Sequence, residues 1–315
     1  MRSRCCRRYY ACAVLGPAVQ VCKRLTLVSV ASISIGMLVG SVYGQSCEAS
    51  TPLRLVDRRG QPVANITRDQ LRVKVNGTPV TVRSLEPVTK PGVVLILDVS
   101  PSMKKTWKQS MAAAKQLVEA VGENVDLFAF DMGISAYAVG RSKSEDLLDR
   151  LLQQGAPNPP RGTALYDTLI EVARRVTTHN ATIVVITDGG DNASYHSSDA
   201  TASLFLSSSW PPVFALVLDY EETNTRRGYF KKIPAATGGL ILYPASASKV
   251  SSTTKELADV VLNPIAMGLQ LSQPTADSAK LEVEVVGENG RPSKEINVLH
   301  AAKLTACNPH EPTPH

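Results

Sequence analysis

The sequence predicts an α/β fold: a doubly wound, mostly parallel sheet with helices on both faces, joined to a small β sub-domain. Three observations carry this expectation. From residue 93 onward, short continuous apolar runs alternate with stretches of helical periodicity, as a parallel sheet covered on both faces requires. The segments before and after that region show short β patterns punctuated by turn residues. Neither flank is large enough to hold a core alone, so the two are expected to pack together.

The first 44 residues read as an export signal. They carry Arg2, Arg4, Arg7, Arg8, Lys23 and Arg24 and no Asp or Glu. This block holds the whole excess of a 315-residue chain of formal charge +6, and residues 45–315 are formally neutral. No basic groove follows from that distribution, and nucleic acid is not an expected partner. The basic leader precedes the apolar run 25–40, which is short and Ser-rich for a membrane span, and Val42-Tyr43-Gly44 offers a cleavage site. A retained membrane anchor is the alternative. A lipoprotein through Cys47 is a weaker one, because Gly44-Gln45-Ser46 matches a Leu-led lipobox poorly. The true start codon could also lie downstream of Met1.

Of the six cysteines, only Cys47 and Cys307 survive cleavage, one near each end of the mature chain. In an oxidising compartment two such cysteines most simply form a disulfide; two free thiols in the tails are the alternative.

Residues 45–90 form the first β flank. "TPLRLVD" alternates, Arg59-Gly60 makes a turn, and "TRDQL" gives one helical turn. "RVKVNGTPVTVRSL" is a hairpin with Asn76-Gly77 at its tip. Pro87, Pro91 and Gly92 then punctuate the boundary. The α/β domain spans 91–265. Its strands are expected at 93–98, 125–131, 134–139, 181–188, 213–219 and 240–243, and its helices at about 104–121, 144–153, 163–177, 199–207, 226–236 and 252–263. Asp131-Met132-Gly133 reads as a tight turn, which makes 134–139 an antiparallel edge strand. Residues 266–307 return to β, with three strands and a hairpin turn near Asn289-Gly290, before a tail at 308–315.

The chemistry-bearing residues lie at strand ends, where ligands bind in open α/β sheets. The buried run "VVLILD" delivers Asp98, Ser100 and Ser102; Asp188 ends "ATIVVITD"; Thr163 opens a helix after a Pro-rich loop. Each piece alone has a structural alternative: a helix N-cap for Ser100, Ser102 or Thr163, and a routine turn at Asp188-Gly189. Together they make a set of hard oxygen donors suited to a divalent cation.

Asp98-Val99-Ser100-Pro101-Ser102, Thr163 and Asp188, in that order, resemble the metal-ion-dependent adhesion site (MIDAS) of the von Willebrand factor type A (VWFA) domain. "PVTKPGVVLILDVSPSM", "RGTALYDTL", "ITDGGDNAS", "ATGG" and the terminal "KLTAC" are similar to the secreted bacterial subfamily of VWFA-related proteins known from acidobacteria. The resemblance implies one Mg²⁺ or Mn²⁺ held by Asp98, Ser100, Ser102, Thr163 and Asp188, directly or through water. It also implies an open position on the ion for an acidic group of a protein or other macromolecular partner. Pro101 departs from the Gly of many relatives, fixing φ and removing a donor, so a stiffer loop is expected.

Other chemistry finds little support. Asp191 and Asn192 lie near the set but read as exposed loop residues, and His179, His196, His300, His310 and His315 show no metal spacing. "LILDVS" is similar to a phosphatase nucleophile strand, but Ser100 stands where the second Asp is needed. The leading expectation is therefore an exported, non-enzymatic binding protein that meets a membrane only through an uncleaved leader. A metal-dependent phosphoesterase-like hydrolase and a structural envelope component with a vestigial site are the alternatives.

Overall fold

In β4 (Gly92–Asp98), Val93, Leu95 and Leu97 enter one apolar core while Val94 and Ile96 enter another. Alternate side chains of a strand point to opposite faces, so a strand with a core on each side carries no polar residue until its last position. The structure, a computed structural model, describes residues 47–304 except 64, 157–161, 177–180, 209, 219–229, 273, 274, 276–278 and 288. The expected export leader, Cys307 and the tail lie outside the described residues.

Around β4 the chain builds a six-stranded sheet from β5 (Val125–Phe130), β6 (Ile134–Val139), β7 (Ala181–Thr187), β8 (Val213–Val217) and β9 (Ile241–Leu242). Their order is β6-β5-β4-β7-β8-β9, with every pair parallel except β5–β6. On one face, α1 (Trp107–Val121), α2 (Arg141–Gln154) and α6 (Val250–Leu262) contribute Met111, Leu117, Leu148 and Leu257 to the first core. On the other, α3 (Leu165–Arg175), α4 (Ser198–Ser208) and α5 (Lys232–Thr237) contribute Leu169, Phe205 and Ile233 to the second. The α/β class expected from the apolar runs is present in this layer. The chain runs outward from β4 to β5 and β6, then returns to β7 on the other side of β4. The order of strands reverses there, which opens a crevice between the carboxyl ends of β4 and β7.

The two flanks pack together, as expected, into one β unit. It is larger than a small sub-domain: an antiparallel sheet of seven strands, curved as a half-barrel. Its members are β1 (Cys47–Asp57), β2 (Leu71–Val75), β3 (Thr78–Pro87), β10 (Ile265–Leu271), β11 (Ala279–Val285), β12 (Ile296–His300) and β13 (Lys303–Leu304), in the order β12-β1-β10-β3-β2-β11-β13. The doubly wound description therefore applies to the six-stranded layer at most, not to the chain. The β2–β3 hairpin has Val75 opposite Thr78, with Asn76 at φ 50° and Gly77 at φ 80°, the positive angles a two-residue turn needs. Asn289-Gly290 does sit in a turn, closed by a bridge between Val286 and Pro292. Yet β11 and β12 do not continue as a hairpin: β11 pairs with β2 and β13, and β12 pairs with β1.

Arg54 ties the two sheets together. In β1, Leu53 and Leu55 face the core of the seven-stranded sheet, whereas Arg54 and Val56 point into the α/β layer. Arg54 Nε donates to Val260 O at 3.1 Å, and Nη2 donates to Thr182 Oγ1 at 2.6 Å and Val261 O at 3.3 Å. The two carbonyls belong to the last turn of α6, where they have no partner within the helix and carry the negative end of its dipole. The guanidinium also lies 4.8 Å from the centroid of the Phe214 ring. Burial pushes its pKa down to about 10, so it stays charged at neutral pH.

A second joint explains "ATGG". Thr237 Oγ1 accepts the Val213 N–H, and a Cβ at Gly239 would stand 1.8 Å from Val213 O. Gly238, at φ 73° past the end of α5, would likewise bring a Cβ to 2.0 Å from His300 O. Both glycines permit backbone contact that no other residue allows. Among the described residues no helix is long and apolar enough to cross a membrane.

Replacing Arg54 by Met should destabilise the protein by about 3 kcal/mol, because it strands two buried carbonyls and a hydroxyl. Urea denaturation at pH 7 should show a lower midpoint with an unchanged slope, and Arg54→Lys should recover only part of the loss.

Candidate metal centre

Asp98 ends β4 fully buried. Its Oδ1 accepts the Ser100 N–H at 2.9 Å, and its Oδ2 accepts the Thr187 hydroxyl at 2.7 Å. Thr187, also fully buried, is the last residue of β7; its Oγ1 accepts the Gly189 N–H at 3.0 Å. The parallel β4–β7 register thus sets Asp98 beside the start of the Asp188 loop. Asp188 is half-buried, and its Oδ1 accepts the Gly190 N–H at 2.9 Å.

The hydroxyls of Ser100 and Ser102 lie 3.0 Å apart. Ser100 stands at the N-cap of a 3₁₀ turn, Pro101–Thr106, yet its side chain makes no capping hydrogen bond. Pro101 occupies the first position of that turn, where no N–H is required, so the departure from Gly is accommodated without a lost bond. Thr163 is not the cap of α3, since Ala164 holds that place. The alternative of a helix cap therefore does not account for Ser100 or Thr163.

The structure brings Asp98, Ser100, Ser102 and Asp188 to one crevice. Thr163 reaches it through backbone ties to the loop that follows Asp188. Its N–H donates to Asn192 Oδ1 at 2.7 Å, and its carbonyl accepts the N–H groups of Asn192 and Ala193 at 3.0 and 3.1 Å. Asp191 accepts the Tyr166 N–H at 3.1 Å and the Ser194 hydroxyl. Asp167 accepts the N–H groups of Tyr195 and His196 and pairs with His196 Nδ1 at 2.7 Å. These bonds hold the Asp167 carboxyl below the usual range, outweighing the effect of its burial. Reading Asp191 and Asn192 as plain exposed loop residues misses this work: they fasten the loop to the start of α3. Thr187 is the other contributor that sequence reasoning missed, though it stands directly before Asp188 in the quoted motif.

The electrostatics favour a cation. Burial above all, and then the charge of Asp188, push the Asp98 carboxyl up to about 7, against the opposing hydrogen bonds from Ser100 and Thr187. A cation beside the two carboxylates would remove that repulsion. The oxygens on offer are carboxylates and hydroxyls, the donor types that Mg²⁺ and Mn²⁺ accept. Among the described residues no group of three or more His, Cys, Asp or Glu side chains could hold a metal, so the donor set rests on two carboxylates supplemented by hydroxyls. Met132 and Tyr195, 60% and 92% exposed, stand on the loops that surround the crevice.

A family model described as "VWA domain containing CoxE-like protein" matches residues 68–204, a span that contains all five candidate ligands. The match supports a VWA domain in this chain. Among solved structures, proximal thread matrix protein 1 from the mussel byssus is 19% identical, over 57% of this chain and 50% of its own, with a TM-score of 0.43. This chain thus spans half the length of the mussel protein. Another structure of the mussel protein, with a zinc-occupied MIDAS motif, is 17% identical at a TM-score of 0.42, with the same coverage of both chains. BatB from Bacteroides thetaiotaomicron is 16% identical over 54% of this chain and 98% of its own, with a TM-score of 0.42. A von Willebrand factor type A protein from Catenulispora acidiphila is 11% identical over 84% and 74%, with a TM-score of 0.44. No curated protein matches the sequence.

The pKa of Asp98 gives the protein a pH-dependent stability with a definite sign. The carboxyl is raised from 3.8 to about 7 on folding, so between those values the folded state holds a proton that the unfolded state has lost. The metal-free protein should therefore lose stability as pH rises from about 4 to about 7, by at most about 4 kcal/mol, and level off above. Asp98→Asn should flatten this slope and be the more stable protein at pH 8. Urea midpoints across that range in EDTA measure it, and parallel slopes would contradict the assignment.

Proposed function

We propose that this chain is an exported, non-enzymatic binding protein of the secreted bacterial VWFA-related type. In this reading Asp98, Ser100, Ser102, Thr163 and Asp188 hold one Mg²⁺ or Mn²⁺, and the ion engages a carboxylate of a protein or other macromolecular partner. The observation that carries the reading is the buried Asp98 carboxyl facing Asp188 at the crevice between β4 and β7. Two anions at such a position cost stability unless a cation joins them. The hydroxyls of Ser100 and Ser102 supply uncharged oxygens, so the bound ion keeps net positive charge with which to attract an acidic group. Met132 and Tyr195, exposed on loops at the carboxyl end of the sheet, offer apolar contact to a partner in this reading.

Residues 1–44 act in this proposal as the export leader, and an uncleaved leader is the one route to a membrane. Cys47, buried at the start of β1, forms a disulfide in this reading, as an oxidising destination allows. We assign Cys307 as its partner. The α/β layer, residues 91–265, is then the VWFA domain, and 45–90 with 266–307 its β flanks.

Titration calorimetry with MgCl₂ tests the metal. The wild type should bind one ion per chain, and Asp98→Ala should bind none while keeping its circular dichroism. At a hundredfold excess over the dissociation constant, Mg²⁺ should stabilise the wild type alone by about 2.7 kcal/mol. Equal affinity in the two proteins would reject the site. Peptide mapping of the exported, non-reduced protein should recover Cys47 joined to Cys307; two alkylatable thiols would reject the pairing.

A further inference from the structure

We propose that β6 is a self-association edge, through which two copies of this chain join their six-stranded sheets antiparallel about a two-fold axis. The proposal is independent of the metal.

β6 ends the sheet: one side pairs with β5, and among the described residues no strand pairs with the other. The opposite end of the sheet is the two-residue β9, too short to recruit a strand, whereas β6 has six residues. Proteins protect such edges with Lys, Pro, charge or a bulge. The sequence Ile134-Ser-Ala-Tyr-Ala-Val139 has no charge and no Pro. Its one irregularity is the register shift at Ser135, whose hydroxyl donates to Ala129 O. That shift lies at the turn end and leaves Ala136–Val139 as regular strand.

The faces of β6 are unequal. Ala136 and Ala138 belong to the core covered by α1, α2 and α6. Tyr137 and Val139 point to the other face and are 64% and 57% exposed, with Tyr137 stacked on Phe128 at 6.0 Å between ring centroids. The helices on that face leave this corner of the sheet uncovered. Two copies joined edge to edge would lay Tyr137 and Val139 of each chain beside those of the other.

Charge points to a second copy as the occupant. The groove beside the edge is lined by Tyr137, Ala138, Lys143, Asp146, Asp149 and Arg150. It holds two acids and two bases, so a copy of itself meets no net repulsion. Asp149 pairs with Lys115, while Lys143, Asp146 and Arg150 have no ion-pair partner among the described residues. A two-fold joint therefore brings together two sets of charges that are each balanced, with no excess of either sign to oppose it.

Sedimentation velocity of the full chain in EDTA, from about 1 to 200 µM, tests this. The wild type should shift with concentration from one chain of 33.8 kDa to a dimer of twice that mass. Val139→Lys, at an exposed position, should weaken the dimer at least about tenfold and, at concentrations where both proteins are monomers, keep the wild-type unfolding midpoint; Tyr137→Lys should weaken the dimer likewise, with a lower midpoint from the lost stacking on Phe128. In the wild type alone, hydrogen exchange of the 136–139 amides should slow as concentration rises. A monomer at every concentration would overturn the proposal. So would a dimer that Val139→Lys leaves intact, or one in which those amides exchange at an unchanged rate.

Discussion

The Arg54 guanidinium is the contact on which the arrangement of the two sheets depends. From Leu53 to Val56, β1 is buried on both sides, and alternation sends Leu53 and Leu55 into one core and Arg54 and Val56 toward the other. An apolar residue at position 54 could fill the space but could not satisfy the last carbonyls of α6. The cation meets them where the helix dipole is negative, and the Phe214 ring covers its face. Thr182 lies at the start of β7, and Val213, held in the second joint, opens β8, so both joints grip the amino ends of the parallel sheet. The crevice with Asp98 and Asp188 lies at the opposite, carboxyl ends. The sheet is thus fastened at one end and left open for chemistry at the other.

The cost of that open end is electrostatic. Asp98 is buried in full and kept there by donors from Ser100 and Thr187, which favour its ionised form but do not offset burial and the charge of Asp188. The neighbouring loop is held with more bonds than its sequence implies. Asn192 and Asp191 accept the N–H groups of Thr163 and Tyr166 at the start of α3. In return Asp167 of α3 accepts those of Tyr195 and His196 in the loop, and Ser194 Oγ accepts the Tyr166 and Asp167 N–H groups while donating to Asp191. Rigid support of this kind fixes oxygen donors before any ion arrives, which lowers the ordering cost of binding one.

Much of the α/β layer was legible because its signals are local. Apolar runs such as Val93–Leu97 announce strands with a core on each face, and the positions of Asp98 and Asp188 follow from where those runs stop. The β2–β3 hairpin was equally legible, since Asn76-Gly77 encodes its own geometry. The seven-stranded sheet was not, because its decisive pairings join β1 to β10 and β12 across more than half the chain, and nothing in a short window records them. Alternation in "TPLRLVD" describes a strand with one polar side; that this polar side is buried depends on α6, far away in sequence. Asn289-Gly290 shows the converse. The turn forms where its residues require it, but the strands it serves find other partners. Asn192 and Thr187 escaped because a side chain that positions a neighbour leaves no pattern of its own.

The place where the α/β layer enters and leaves the seven-stranded sheet has a mechanical meaning. Pro87 closes β3 and Ile265 opens β10, and these two residues face each other in the same ladder. The whole of 88–264 therefore hangs as a loop between adjacent, hydrogen-bonded strands. Tension applied between Cys47 and Leu304 is carried by the ladders of that sheet, or by the disulfide to Cys307 proposed above, and in either case by-passes the inserted layer. A chain stretched along an anchoring structure would keep its crevice geometry under load, as a hook keeps its shape when the strap that bears it is pulled.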